Sequence, residues 1–190
     1  MEITKLSKSC FRLKGKRAII LINPSTELKN LRAHILLLYS QKNEQGEFLF
    51  PFKKEIPKLK GEPVVIFGPG EYEIRHVRIF GTKEKGKTIY KIEMNGLSCL
   101  YLDGLEEKIS EEKVELLSGV DILFLPVKKR KVALSLVSQI EPLIVIPTKD
   151  EELEDFLKEE GIMKVDRLSK FTITKEELPE ERKIVVLKSD

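Results

Sequence analysis

Two histidines and two cysteines are the only imidazoles and thiols in the chain, so metal or nucleophilic chemistry would have to be built from them and from carboxylates. His34 opens an apolar run and His76 lies in an alternating one, far from each other and from Cys10 and Cys99. A zinc centre needs three or four N, S or O ligands, usually grouped at short spacing, which these positions do not supply. Asp103, Glu71 and Glu73 could hold a metal through carboxylates alone, but no spacing argues for it. Ser40 and Ser98 have no partner histidine at a persuasive spacing. Neither a Gly-x-Ser-x-Gly elbow nor a phosphate loop occurs. Asp103-Gly104 follows a strand-like run directly, where α/β folds place catalytic carboxylates; the same pair also makes an ordinary turn. The adjacent cations Lys128, Lys129, Arg130 and Lys131 stand between a strand pattern and a helix start. There they could bind phosphate beside a helix N-terminus. As a bare charge run they read as a solvated loop, and no aromatic residues accompany them to stack on bases.

The elements that must position these groups are read from hydrophobic periodicity. Residues 3–6, 9–13 and 18–22 read as three short strands, the last two joined by a turn at Lys14-Gly15-Lys16. Ser25 or Thr26 could cap a short helical segment through Leu31. The continuous apolar run Ile35–Leu38 predicts a strand buried on both faces. Residues 39–61 form a long loop in which Phe48, Phe50 and Phe52 alternate, and long loops in compact domains are often functional.

Strands resume at 64–67, 72–80, 88–94 and 97–102. Between the first two lies Gly68-Pro69-Gly70, whose residues tolerate a backbone path closed to most side chains. It should turn tightly, with Glu71 and Glu73 on one face and Tyr72 on the other. It is no dinucleotide fingerprint, because a strand follows it. Lys85-Gly86-Lys87 and Asn95-Gly96 mark further turns, and Asn-Gly is a strong hairpin signal. Beyond residue 110 the pattern alternates: a helix from Ser110 to Leu117, a strand over 121–126, a helix over 130–140, a strand over 143–146 and an acidic-fronted helix over 150–159. Strand-like runs at 170–173 and 184–187 follow. Strands first and strand–helix alternation later, without a linker, predict one α/β domain over residues 1–190 with two sheets and helices outside them.

Composition narrows the class. Hydrophobic residues make up 41% and charged residues 34%, as expected of a globular protein with a heavily charged surface. The richness in Lys and Glu is the bias reported for proteins from hot environments. A net charge of +3, with both signs interspersed, does not call for nucleic acid. The two cysteines are too few for a disulfide framework and read as buried thiols in a reducing compartment. With no basic-then-apolar leader and no membrane-length apolar run, the expectation is a cytoplasmic protein.

Several of these stretches together resemble the metallo-β-lactamase-fold hydrolases, specifically the small single-domain, predicted zinc-dependent branch that includes ascorbate-6-phosphate lactonase-like proteins. Residues 3–11 match that branch's opening strand pair, written I-x-x-L-G-H-S-C-F. Gly68-Pro69-Gly70-Glu71-Tyr72-Glu73-Ile74 matches its G-P-G-E-Y-E-hydrophobic segment, and residues 90–103, 120–127 and 139–147 match later strands. The resemblance implies a four-layer αβ/βα sandwich of two mixed β-sheets flanked by helices.

It also implies a zinc site whose ligand positions are changed here. The first-strand histidine falls on Lys8. The three histidines of H-x-H-x-D-H fall on Ser40, Lys42 and Gln45, and its aspartate on Glu44. The G-D-x-G-H segment falls on residues 103–107, which puts Gly104 in the place of the metal-bridging aspartate, Asp103 one residue early, and Glu107 on the histidine. The last histidine falls on Lys149. Ammonium groups with a reference pKa near 10.4 cannot replace imidazoles around a dication. Without the metal, no metal-activated hydroxide forms at neutral pH.

The expectation is therefore a metallo-β-lactamase-fold protein without its zinc, with a binding or assembly role. Lys8, Lys42 and Lys149 would pair in part with Glu44, Asp103 and Glu107 and leave a site for an anionic or phosphorylated ligand, extended by residues 128–131. The alternatives are a divergent hydrolase, with a metal held by Glu44, Asp103 and Glu107 or with metal-free acid–base chemistry, and a scaffolding subunit or homo-oligomer docking through the Phe48-Phe50-Phe52 loop.

Overall fold

The computed structural model describes residues 1–7, 9–24, 28, 31–38, 41–42, 48–49, 59–102, 104–105 and 107–189. The chain opens with an antiparallel meander of β1 (Glu2–Ser7), β2 (Cys10–Lys14) and β3 (Ile19–Ile22), followed by β4 (Ile35–Leu38). A small ribbon pairs β5 (Gln41–Lys42) with β6 (Phe48–Leu49). Then come β7 (Val64–Phe67), β8 (Gly70–Ile74), β9 (Val77–Glu84), β10 (Lys87–Met94) and β11 (Leu97–Tyr101). Helices and strands alternate afterwards: α1 (Glu111–Leu116), β12 (Ile122–Pro126), α2 (Arg130–Ile140), β13 (Ile144–Lys149) and α3 (Leu153–Glu159). Short strands finish it: β14 (Arg167–Leu168), β15 (Phe171–Thr172), β16 (Lys183–Ile184) and β17 (Val186–Leu187).

These strands form two mixed sheets, one of six in the order β15-β1-β2-β3-β4-β7 and one of seven in the order β16-β13-β12-β11-β10-β9-β8. Parallel pairing joins β3, β4 and β7 in the first and β11, β12, β13 and β16 in the second. Period-two alternation decides what each strand buries. In β4, Ile35 and Leu37 enter the core between the sheets, while Leu36 faces outward beside Leu28, Leu31 and Leu59. In β12, Ile122 and Phe124 face the other sheet, while Leu123 and Leu125 face the helices. Strands covered on both sides must be apolar throughout, which is why these runs do not alternate in polarity. The three described α-helices all lie over the seven-stranded sheet, through Val114, Leu136, Phe156 and their neighbours. Among the described residues no α-helix covers the other sheet; the expected helix near Ser25 and Thr26 lies outside them.

One expectation is corrected. The run 72–80 is not one strand: a two-residue turn at Arg75 (φ 52°) and His76 (φ 62°) folds β8 back on β9, so Ile74 pairs with Val77. Both central residues adopt the left-handed conformation that such hairpin turns require, without the glycine or asparagine that usually betrays it. His76 is therefore a turn residue. Gly68-Pro69-Gly70 joins β7 to β8 in a tight turn as expected, and carries the chain from the edge of the six-stranded sheet to the edge of the seven-stranded one. Its side-chain alternation is as expected, with Glu71 and Glu73 exposed and Tyr72 partly buried against the core. No helix among the described residues is long and apolar enough to cross a membrane.

Candidate functional site

The sandwich has two ends. At one, the parallel strands β4, β11, β12 and β13 finish at Leu38, Tyr101, Pro126 and Lys149, and α/β folds use such carboxyl ends to bind ligands. Two tyrosines tie the sheets together there. The Tyr90 hydroxyl donates to the Leu38 carbonyl at 3.1 Å and the Tyr101 hydroxyl to the Ser9 carbonyl at 2.6 Å. Burial pushes the Tyr90 phenol well above its ordinary value, opposed by the backbone of Gly68, so it acts as a neutral donor. Beneath them, Phe11 meets Phe124 edge-on at 5.0 Å, and Tyr101 lies 5.7 Å from Phe124. A rigid aromatic floor therefore supports the strand ends.

Lys8, Ser40, Glu44, Gln45 and Asp103, expected at this end from the resemblance, lie outside the described residues, as do Phe50 and Phe52. Lys42 belongs to β5 and pairs with Phe48 of β6. Gly104, Lys128, Lys129 and Lys149 come together around one small hollow of about 10 Å³, with Leu105, Pro126 and Val132, enough for a single water or one phosphate oxygen. Its geometry follows from β12 and β13: their register shifts at Pro126, which faces Lys149, and Val127 N–H donates to the Lys149 carbonyl at 3.1 Å. Proline has no N–H for the ladder, so the strand ends there and releases Lys128 and Lys129 into the loop. Lys149 also borders a cavity of about 430 Å³ with Lys5, Asp150, Arg167 and Lys188.

The rest of the basic run does not join this cluster. The Arg130 N–H at the start of α2 donates to the Glu152 carboxylate at 2.6 Å, and its guanidinium lies 3.7 Å from Glu159. A carboxylate of this protein thus already occupies the helix N-terminus expected to assist phosphate. Lys131 is exposed on α2 and lines neither space. Glu107 is exposed and lies 4.0 Å from Lys85, so its observed pairing is not with a lysine of the cleft. Ser110 stands at the start of α1, but its hydroxyl donates to Glu84 at 3.0 Å instead of capping the helix.

The described residues do not fit a zinc centre. Gly104 has no side chain, Lys149 offers an ammonium group, and among the described residues no three His, Cys, Asp or Glu side chains converge. Both histidines stand at the opposite end. His34 precedes β4 and accepts the Ile19 N–H on Nδ1 at 2.9 Å; His76 turns from β8 to β9. Cys10 and Cys99 are buried within strands, and burial, then Asp121, raise the Cys99 thiol far above its ordinary value. It is a packing residue, not a nucleophile.

His34 supports a stability prediction. Burial first, then the Arg75 and Arg32 cations, lower its pKa from the ordinary 6.5. The unfolded chain thus takes up this proton at a higher pH than the folded one. The histidine's contribution is complete above about pH 6.5 and shrinks as pH falls toward the depressed folded value. Urea midpoints should fall between about pH 7 and 5, and less steeply in His34→Gln, whose amide oxygen can still accept from Ile19. Equal slopes in the two proteins would refute this.

Residues that sequence reading missed are Tyr90, Tyr101 and Lys5. Lys5 is buried in β1, and its bridge to Ser189 brings the last described residues alongside the site. A tyrosine in an otherwise aliphatic strand was the available signal, since a buried hydroxyl needs a partner.

Comparison with known proteins agrees with this architecture. The model of the β-lactamase superfamily domain matches residues 2–149. A Thermotoga maritima protein assigned to the zinc-dependent hydrolases of the metallo-β-lactamase superfamily superposes with a TM-score of 0.78 at 24% identity, covering 98% of each chain. An isothiocyanate hydrolase from Delia radicum gut bacteria gives 0.62 at 9% identity, over 91% of this chain and 99% of its own. The metallo-β-lactamase fold protein YhfI of Bacillus subtilis gives 0.57 at 8% identity, over 99% and 96%. Among curated proteins none matches the chain. The two mixed sheets with helices outside them are the metallo-β-lactamase sandwich, and the chain belongs to the β-lactamase superfamily.

Proposed function

We propose that this protein is a β-lactamase-superfamily member that has lost its zinc site and binds, without hydrolysing, a small anionic or phosphorylated ligand at the strand-end face. The observation that carries the reading is the position of Lys149. By resemblance it occupies a metal-ligand position, and it stands beside Lys128, Lys129 and Gly104 while both histidines lie at the far end. Three lysines grouped at one strand end raise the local positive potential, which disfavours a dication and favours an anion. One anionic oxygen would enter the small hollow, and the body of the ligand would extend over Lys149 toward Lys188, past Arg167, whose guanidinium is paired with Asp150 at 3.2 Å.

Two measurements test this. Protein purified without chelators should carry substoichiometric metal, and chelator should leave its melting temperature unchanged. Inorganic phosphate should bind at low salt, weaken as salt rises, and lose affinity in Lys128→Glu/Lys149→Glu. Stoichiometric zinc, manganese or iron would overturn the reading in favour of a hydrolase with carboxylate ligands drawn from Glu44, Asp103 and Glu107. Phosphate binding that ignores both salt and the substitutions would remove the anion site.

A further inference from the structure

The larger hollow lies at the opposite end of the sandwich. It is a groove of about 670 Å³, walled by the β2–β3 turn, the Arg75-His76 turn, the Asn95-Gly96 turn and the segment around Lys175. Lys14, Lys16, Arg17 and Arg75 line it, and none of the four forms an ion pair among the described residues. Lys175 is different: Asp121 neutralises it, with both carboxylate oxygens at 2.8 and 3.0 Å. The two acids that border the groove are shared with other partners. Glu2 is held by Arg12 at 3.3 Å and Lys170 at 3.4 Å besides its attraction to Lys14, and Glu176 bonds back to the turn at Thr174 besides its attraction to Lys16. Cations therefore still outnumber acids along the wall.

The cations are also positioned. Arg75 occupies the left-handed region at φ 52°, where Asn or Gly is usual, and its Nε donates to the Arg17 carbonyl at 3.1 Å. That single bond locks the two turns together and leaves the terminal guanidinium nitrogens for an incoming acceptor, in the fixed fork that suits phosphate. No phenylalanine, tyrosine or tryptophan lines the groove and His76 is the single imidazole on its wall, so bases would find little to stack on. Its volume suits a small molecule and not an extended strand.

We infer that this groove is a second anion site, built for a compact chain of phosphates held by Lys14, Lys16, Arg17 and the Arg75 fork. It is independent of the strand-end face and stands whether or not that face binds anything. The phosphate chain can be free or carried on a nucleoside. The chemistry at the groove is the same.

Calorimetric titration of the full chain with inorganic tripolyphosphate and, separately, with ATP tests it. Tripolyphosphate should bind in a salt-sensitive way, and Arg17→Gln/Arg75→Gln should weaken it at least about tenfold. Lys16→Glu, on an exposed turn where no fold contact is at stake, should weaken it too, and Lys128→Glu/Lys149→Glu should not. Equal affinities would show that the free phosphate chain suffices, and a clear preference for ATP would assign the groove to a nucleoside triphosphate; either upholds the site. Absence of binding by both, unchanged affinity in the groove variants, loss in the Lys128→Glu/Lys149→Glu control, or tighter binding of a duplex oligonucleotide would overturn it.

Discussion

Phe11→Ala is expected to remove about 3–5 kcal/mol of folding stability, the range for truncating a buried phenylalanine. The ring is fully buried on β2, between the sheets, and packs edge-on against Phe124 at 5.0 Å and Tyr101 at 6.2 Å. Its loss leaves a cavity that the structure cannot close easily. β2 is hydrogen-bonded to β1 and β3, and Phe124 sits on a central strand between β11 and β13, so neither wall can move inward without breaking ladders. The Tyr101 bond to Ser9, two residues from Phe11, would also lose its packing support. At about 2–4 °C for each kcal/mol in a chain of this size, the melting temperature should fall by several degrees at least. Urea denaturation of the variant and of the milder Phe11→Leu checks the ordering. A loss below about 1 kcal/mol would mean that the aromatic floor is not what holds the sheets together at this end.

What the sequence reveals of this fold divides along a physical line. Elements fixed by local chemistry were legible. Asn95-Gly96 predicts its hairpin because both residues take positive φ, at 55° and 78°. α2 spans Arg130–Ile140 as its period and flanking turns indicate, and Ile35–Leu38 is buried on both faces as its unbroken apolar run requires. Elements fixed by partners distant in sequence were not. Arg75-His76 carries no turn residue, so only the pairing of β8 with β9 reveals it. Of the four two-residue strands after α3, β15 lies within the expected run 170–173 and β16 and β17 fall at the expected run 184–187, but β14, and the division of that last run between two sheets, are set by the strands they join. The same holds at the strand-end face. The family resemblance indicated which positions to inspect, but Arg130 is engaged by Glu152 and Glu159 only because α3 packs against α2. Likewise the tyrosine hydroxyls find carbonyls 52 and 92 residues away in the chain.

Gly81→Ala should cost about 1–3 kcal/mol through overpacking alone. Gly81 pairs with Gly70 across β8 and β9 and with Tyr90 across β9 and β10. A Cβ at this position would lie 2.9 Å from the Gly68 carbonyl oxygen, 3.1 Å from the Tyr90 ring and 3.2 Å from Pro69 Cα. Two of those neighbours are backbone atoms of the Gly68-Pro69-Gly70 crossing between the sheets, and the third belongs to the tyrosine that bonds Leu38, so none can retreat cheaply. The family's G-P-G segment is thus held in place by a glycine eleven residues past its last one, on the strand that lies against it. Gly68→Ala provides the contrast. Nothing lies within 4 Å of a Cβ there, but φ is +85°, so its cost comes from backbone conformation with no clash. If packing decides at Gly81, removing the Tyr90 ring edge with Tyr90→Leu should cost less in the Gly81→Ala background than in the wild type, since it relieves one of the three contacts, while no such saving should appear with Gly68→Ala. A double-mutant cycle measured by urea unfolding separates the two. Equal, additive losses in both backgrounds would show that the crossing does not depend on the close approach of Gly81.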